Sequence, residues 1–256
     1  KKDYLLVFNN SQVIPAKLSC VRETGGKVEI LVINEIFSNT KKLFQASTLI
    51  KSGKKKLTGE KIKIIGTNNY LEILGRNPKN SEQFIVKFFG PVKKILNQHG
   101  EMPLPPYIKR GKLESDKIRY QNIYANMPGS IAAPTAGLHF DKQLFKKLRD
   151  KGVNFSFVTL HVGIGTFLPV RVNSIEEHDM HEEHCEISYE CAQALNLALK
   201  KNRRIIAVGT TSMRVLESYV VSQENFSTTI KTNNFIKPKT WKTKLFIKPG
   251  FEFRIV

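Results

Sequence analysis

The sequence predicts an α/β protein in which a barrel-like α/β domain carries an inserted small all-β barrel domain. Three observations predict this. Between Ala16 and about Gln98 the apolar residues fall in short period-two runs broken by glycine and asparagine, the texture of a small barrel or sandwich. After His99 helical spacing alternates with single strands, the texture of a mostly parallel α/β sheet or barrel. The apolar run Leu5–Phe8 precedes the all-β texture and reads as the first strand of the α/β part. The expected α/β domain is therefore 1–16 with 99–256, and the inserted barrel is 17–98.

Within the barrel, Val28 to Ile33, Lys61 to Ile65, Tyr70 to Leu74 and Phe84 to Phe89 read as strands rich in Val, Ile and Phe. In the α/β part Asp141 is a natural N-cap, with Leu144, Phe145 and Leu148 at helical spacing and Gly152 just past the end. The strand Asn154 to Leu160 follows. Ser188 caps a second helix over Tyr189 to Asn202, with Ala194, Leu195, Ala198 and Leu199 on one side. The strand Arg204 to Val208 and a helix near Ser212 to Val221 complete the alternation. Phe251 to Val256 alternates like one more strand. The chain reads as cut at both ends.

Composition narrows the function. The chain has 256 residues, with 41 Lys plus Arg against 22 Asp plus Glu, a net charge of +19. Such a surplus favours polyanionic partners or covers a solvated surface. Eleven basic residues against two acidic ones between Lys200 and Lys248 make that stretch the favoured phosphate-facing surface. Cys20, Cys185 and Cys191 form no paired framework, which fits a reducing cytoplasm. No apolar run approaches the roughly 20 residues needed to cross a bilayer, so no membrane partner is expected.

Three clusters carry chemistry. In His178-Asp-Met-His181-Glu-Glu-His184 the histidines stand three apart, one short of the i, i+4 pair that a catalytic zinc helix needs. No metal site is expected; acid-base or hydrogen-bonding work, or plain loop histidines, remain. His161-Val-Gly163-Ile-Gly165-Thr166 follows a strand and lets backbone approach a ligand, or is a structural turn. Gly209-Thr210-Thr211 with Arg214 joins a strand to a helix start whose free N–H groups suit an anion. Between Arg119 and Phe140 a run of small residues is flanked by Arg119, Gln121 and His139, an arrangement that suits a flat ligand or tight packing.

Together these segments resemble one family, the S-adenosylmethionine:tRNA ribosyltransferase-isomerases. The resemblance rests on Leu5 to Leu18, Thr24 to Glu29, Pro103 to Ile108, Arg119 to Gln121 with Tyr124, Ala132-Ala-Pro-Thr-Ala-Gly-Leu-His139-Phe140, Val158 to Val170, His178-x-Met-His181-x-Glu183, Gly209-Thr-Thr with Arg214, and Phe246 to Gly250. Gln12 stands where the family has a basic residue, and the family begins earlier and continues past Val256. The resemblance implies transfer and isomerisation of the ribosyl group of S-adenosylmethionine onto 7-aminomethyl-7-deazaguanine at the wobble position of a GUN-anticodon tRNA. The product would be epoxyqueuosine, with adenine and methionine released.

It implies a cytoplasmic monomer with S-adenosylmethionine as co-substrate and no separate cofactor. The nucleophile belongs to the tRNA, so the protein must supply proton transfer and positioning. Glu183, His181, His139, His161 and His178 are the expected proton-transfer groups, with Glu183 and His181 taking no part in holding the fold. Arg119, Tyr120, Gln121, Thr135, Thr166, Thr210, Thr211 and Arg214 are the expected substrate-binding groups. Two other classes compete. A different S-adenosylmethionine-dependent RNA-modifying enzyme would need a glycine-rich loop that is missing. A non-catalytic RNA-binding protein would use the β domain, which lacks the interleaved basic and aromatic surface motif of common RNA modules.

Overall fold

A computed structural model describes residues 4–36, 44–53, 57–105, 107–110, 113–167, 180–223 and 235–256. In chain order the strands and helices are β1 (Tyr4–Asn9), β2 (Ser11–Val13), β3 (Lys17–Arg22), β4 (Lys27–Ile36), β5 (Gln45–Ser52), β6 (Lys61–Ile64), β7 (Tyr70–Asn77) and β8 (Asn80–Phe88). Then come α1 (Val92–His99), α2 (Asp116–Arg119), β9 (Met127–Ser130), α3 (Lys142–Asp150), β10 (Asn154–Leu160), β11 (Glu183–Ile187), α4 (Tyr189–Lys200), β12 (Arg204–Ala207), α5 (Thr210–Val221) and β13 (Lys239–Thr243). The chain divides into two compact units, Lys1–Val13 with Ile118–Val256, and Ile14–Lys117.

The inserted unit is a closed all-antiparallel barrel in the order β3-β4-β5-β8-β7-β6. Closure satisfies every edge, and period-two alternation turns one side chain in two inward. Leu18, Ile30, Ile62, Ile64, Leu71, Ile73, Val86 and Phe88 fill it, joined by Val92, Ile95 and Leu96 of α1.

The other unit is the α/β part, in which five of its seven described strands form a sheet in the order β12-β1-β10-β11-β13 and the other two, β2 and β9, pair in parallel. β12, β1 and β10 are parallel, whereas β11 pairs antiparallel with β10 and with β13. Leu5, Val7, Val158 and Leu160 pack against Leu195 of α4 and Val215, Leu216 and Val220 of α5 in one core. Truncating a residue such as Leu216, fully buried there, costs about 2–5 kcal/mol. Both predicted caps are made: Asp141 accepts from the Leu144 N–H at 2.7 Å and Ser188 from the Cys191 N–H at 3.3 Å.

Phe251 to Val256 is a correction. These residues form no strand; instead the N–H groups of Arg254, Ile255 and Val256 donate to the fully buried carboxylate of Glu217 at 2.9, 3.0 and 3.0 Å. A carboxylate on α5 thus replaces the neighbouring strand that the alternation predicts. Among the described residues no helix is long and apolar enough to cross a membrane.

Candidate functional site

The three parallel strands end at one edge of the sheet, where an open α/β sheet displays ligand-binding loops. β11 begins at that same edge because it runs antiparallel to β10: Leu160 faces Cys185, and the His161 N–H donates to the His184 carbonyl at 3.0 Å. The edge therefore gathers the start of β2, the end of β9, the segment His161–Phe167, residues 180–183 and the turn Val208–Thr211.

Buried polar groups lock these segments. The Asn9 amide donates to the Leu160 carbonyl at 3.0 Å and accepts from the Leu160 and Ser11 N–H groups, each at 3.1 Å. The Ser130 hydroxyl donates to Ser11 Oγ at 2.8 Å and accepts from the Val162 N–H at 2.9 Å. Sequence reasoning missed both as site-forming residues. The available signal was a polar residue closing an apolar strand at Asn9, and a lone serine among glycine and alanine at Ser130.

Glu183 opens β11 with its side chain buried, 5% exposed. Its Oε1 accepts from the Gly163 N–H at 2.8 Å and its Oε2 is ion-paired with Arg214 of α5, itself 13% exposed. Arg214 also donates to the carbonyls of His181 and Thr243, both at 3.4 Å. One carboxylate thus ties the turn after β10 to α5 and β13. This differs from the sequence reading, which kept Glu183 out of the fold; both of its oxygens are bonded to other parts of the chain.

Gly163 and Gly165, expected to let backbone approach a ligand or to form a structural turn, here lie against the protein's own Glu183 and His181. A Cβ on Gly165 would stand 2.7 Å from the His181 ring, so glycine lets that ring lie against the turn. Gly209 has φ 86° and meets the Ala136 side chain, which sets the first turn of α5 beside the 3-10 helix Thr135–His139. The His161 ring lies over Gly129. Burial, and next the neighbouring His184, lowers the His161 pKa, favouring the neutral imidazole.

The structure accordingly brings His161, His181, Glu183, Arg214, Thr210, Thr211, Thr135 and His139 to one edge. His139, Thr135 and Thr210 are exposed, and Thr166 lies in the 3-10 turn Ile164–Phe167. Gln121 is engaged elsewhere: its amide accepts from the Val13 N–H at 3.1 Å and donates to the Val13 carbonyl at 2.7 Å. Arg119 is exposed at the end of α2, and Tyr120 beside it is buried. His178 lies outside the described residues. Among the described residues no three His, Cys, Asp or Glu side chains converge as a metal-binding group.

A family model described as queuosine biosynthesis protein matches residues 1–256. A solved crystal structure, the S-adenosylmethionine tRNA ribosyltransferase from Thermotoga maritima, is 28% identical, with a TM-score of 0.38; the match covers 99% of this chain and 65% of that one. The chain thus spans about 65% of that protein's length. Matched by the family model over its whole length, the chain belongs to the queuosine biosynthesis protein family.

Proposed function

We propose that this chain carries the ribosyl-transfer site of an enzyme that moves and isomerises the ribosyl group of S-adenosylmethionine onto 7-aminomethyl-7-deazaguanine at the wobble position of a GUN-anticodon tRNA. Epoxyqueuosine-tRNA, adenine and methionine are the products. The observation that carries the reading, beside family membership, is one sheet edge holding a helix start without a side-chain cap, a buried Arg214–Glu183 pair and a histidine biased to its neutral form.

The chemistry assigns roles there. The sulfonium acidifies the C5′ hydrogens, and a base takes one, leaving the electron pair on carbon as an ylide. The C5′ pair then bonds to C1′ as adenine departs with its bond pair and takes up a proton; the aminomethyl nitrogen, losing a proton, displaces the ring oxygen from C1′; and that oxygen, still on C4′, displaces methionine from C5′ to close the epoxide. His161, biased to its neutral form, accepts a proton; His181 and His139 supply or take up the others. Glu183 is a positioning residue, since Gly163 and Arg214 occupy both of its oxygens. The N–H groups opening α5, with Thr210 and Thr211, suit the methionine carboxylate. None of these steps calls for a metal.

Mass spectrometry of tRNA bearing the aminomethyl base, after incubation with the protein and S-adenosylmethionine, tests the reading. A ribosyl-derived addition with free adenine and methionine is expected. A methyl addition, or an unchanged base, would overturn it.

A further inference from the structure

We propose that the outer wall of the closed barrel formed by β6, β7 and β8 is an RNA-binding face, built from Lys61, Lys63, Tyr70, Lys87 and Phe89. In taking tRNA as the RNA it rests on the function proposed above. The argument starts from strand register. Lys63 stands opposite Tyr70, and Lys61 opposite Glu72, across β6 and β7. Glu72 stands opposite Lys87, and Leu71 opposite Phe88, across β7 and β8, which brings Tyr70 beside Phe89 one step further along. Ile62, Ile64, Leu71, Ile73, Val86 and Phe88 are spent on the core, so the residues between them face outward.

The result is an outward row of Lys63, Tyr70 and Phe89 above a row of Lys61, Glu72 and Lys87. Tyr70 is 41% and Phe89 56% exposed. The Lys63 ammonium lies 5.9 Å from the Tyr70 ring and the Lys87 ammonium 5.9 Å from the Phe89 ring. The one carboxylate in these rows, Glu72, is paired with Lys87 at 3.6 Å. Three lysines against one glutamate leave a positive wall with two flat rings standing on it.

Exposed rings on a charged wall suit a partner that uses both. An acidic peptide would answer the lysines and leave the rings idle. Unpaired RNA answers both: phosphates meet the ammonium groups, and bases, every one of which has a π-face, stack on the rings. Adjacent strands lie about 4.8 Å apart, so two neighbouring bases of a loop cover Tyr70 and Phe89 together. Along the chain these basic and aromatic residues are not interleaved; the fold interleaves them across strands.

The test measures affinity of the whole 256-residue chain for an unmodified tRNA transcript over a range of salt concentrations, with melting curves on each variant. The combined change Lys61→Gln, Lys63→Gln and Lys87→Gln is expected to weaken binding and flatten the slope of log affinity against log salt by about 2, at roughly 0.7 per single-stranded phosphate lost. Tyr70→Ala and Phe89→Ala should each weaken binding roughly 5- to 150-fold with the slope unchanged. Tyr70→Leu with Phe89→Leu keeps apolar bulk while removing the flat faces, and should lose as much.

Neutralising Lys146, Lys147 and Lys151 of the other unit makes an equal change in charge and should do less. Equal losses from both lysine sets, ring variants within twofold of the parent, or a parent chain that binds no tRNA would overturn the proposal. So would equal loss of poly-glutamate binding in the ring variants, which would make the partner an acidic chain. The base-modification assay separates this proposal from the one it rests on. Wall-dependent tRNA binding without any ribosyl addition sinks the catalytic reading alone, and turnover with an unchanged KM for tRNA in the wall variants sinks the wall alone.

Discussion

Replacing Glu183 by glutamine separates chemistry from architecture at the sheet edge. The substitution keeps the size of the side chain and an oxygen for the Gly163 N–H, which now lies 2.8 Å from the carboxylate, but removes the charge that faces Arg214. Arg214 is only 13% exposed, so its guanidinium stays behind in a poorly solvated place. Breaking a buried pair from one side costs about 3–5 kcal/mol. The remaining contacts of Arg214 to the His181 and Thr243 carbonyls, both at 3.4 Å, hold the cost near the lower end, about 3 kcal/mol. At 2–4 °C per kcal/mol for a unit of this size, the α/β unit should melt about 6–12 °C earlier.

The assay is a thermal melt of the parent, Glu183→Gln, Arg214→Gln and the double variant. In the double variant neither charge is left unpaired, so it should melt well above the sum of the two single losses, a coupling of about 1–3 kcal/mol. A Glu183→Gln protein that melts within 2 °C of the parent, or losses that simply add, would refute the reasoning. Turnover measured on the same proteins then reads the chemical role. If activity falls on the order of 10²-fold while the melting temperature holds, Glu183 is a proton-transfer group after all.

Three further outcomes are expected. Glu217→Ala leaves the N–H groups of Arg254, Ile255 and Val256 without their acceptor, so hydrogen exchange at these three amides should lose its protection, and the unit should lose about 3 kcal/mol in denaturant unfolding. Burial pushes Cys20 and Cys185 up to about 12 and Cys191 up to about 11, so none should react with a thiol reagent at pH 8 until the protein is unfolded, when all three titrate. The lowered pKa of His161 means that the unfolded chain takes up its proton first as pH falls. Its contribution to stability is therefore full above the ordinary histidine value near 6.5 and is lost as pH drops from there towards the folded value, so His161→Gln should flatten that part of the stability profile.

What the sequence disclosed was what is local. Asp141 and Ser188 mark helix starts because a capping side chain bonds within three residues. Asn154–Leu160 declared itself by an apolar run bounded by turns, and the strand, Gly209 and helix order by its single left-handed glycine. β11 did not, because its inward positions are Glu183, Cys185 and Ile187, and a carboxylate breaks the alternation that marks a strand. What makes Glu183 acceptable there is Arg214, 31 residues on. The engagement of Gln121 is hidden for the same reason: its partner is the backbone of Val13, 108 residues away, so nothing near it shows that its amide is bonded.

The same distance argument explains why α5 reads as an ordinary amphipathic helix while it organises the unit. Its first turn meets the 3-10 helix at Ala136, and Arg214 holds Glu183. One turn on, Glu217 gathers the backbone of residues 254–256, Ser218 accepts from the Trp241 indole at 3.2 Å, and the Tyr219 hydroxyl accepts from the Lys237 N–H at 2.8 Å. Each of these side chains is polar at a buried position, where an unpaired group would cost about 1–3 kcal/mol. Helical periodicity cannot supply the partners; only segments brought in from elsewhere in the chain can. A helix so fixed along its length cannot shift without breaking several such bonds at once, which holds its N-terminal N–H groups still against the edge where the ligand is proposed to sit.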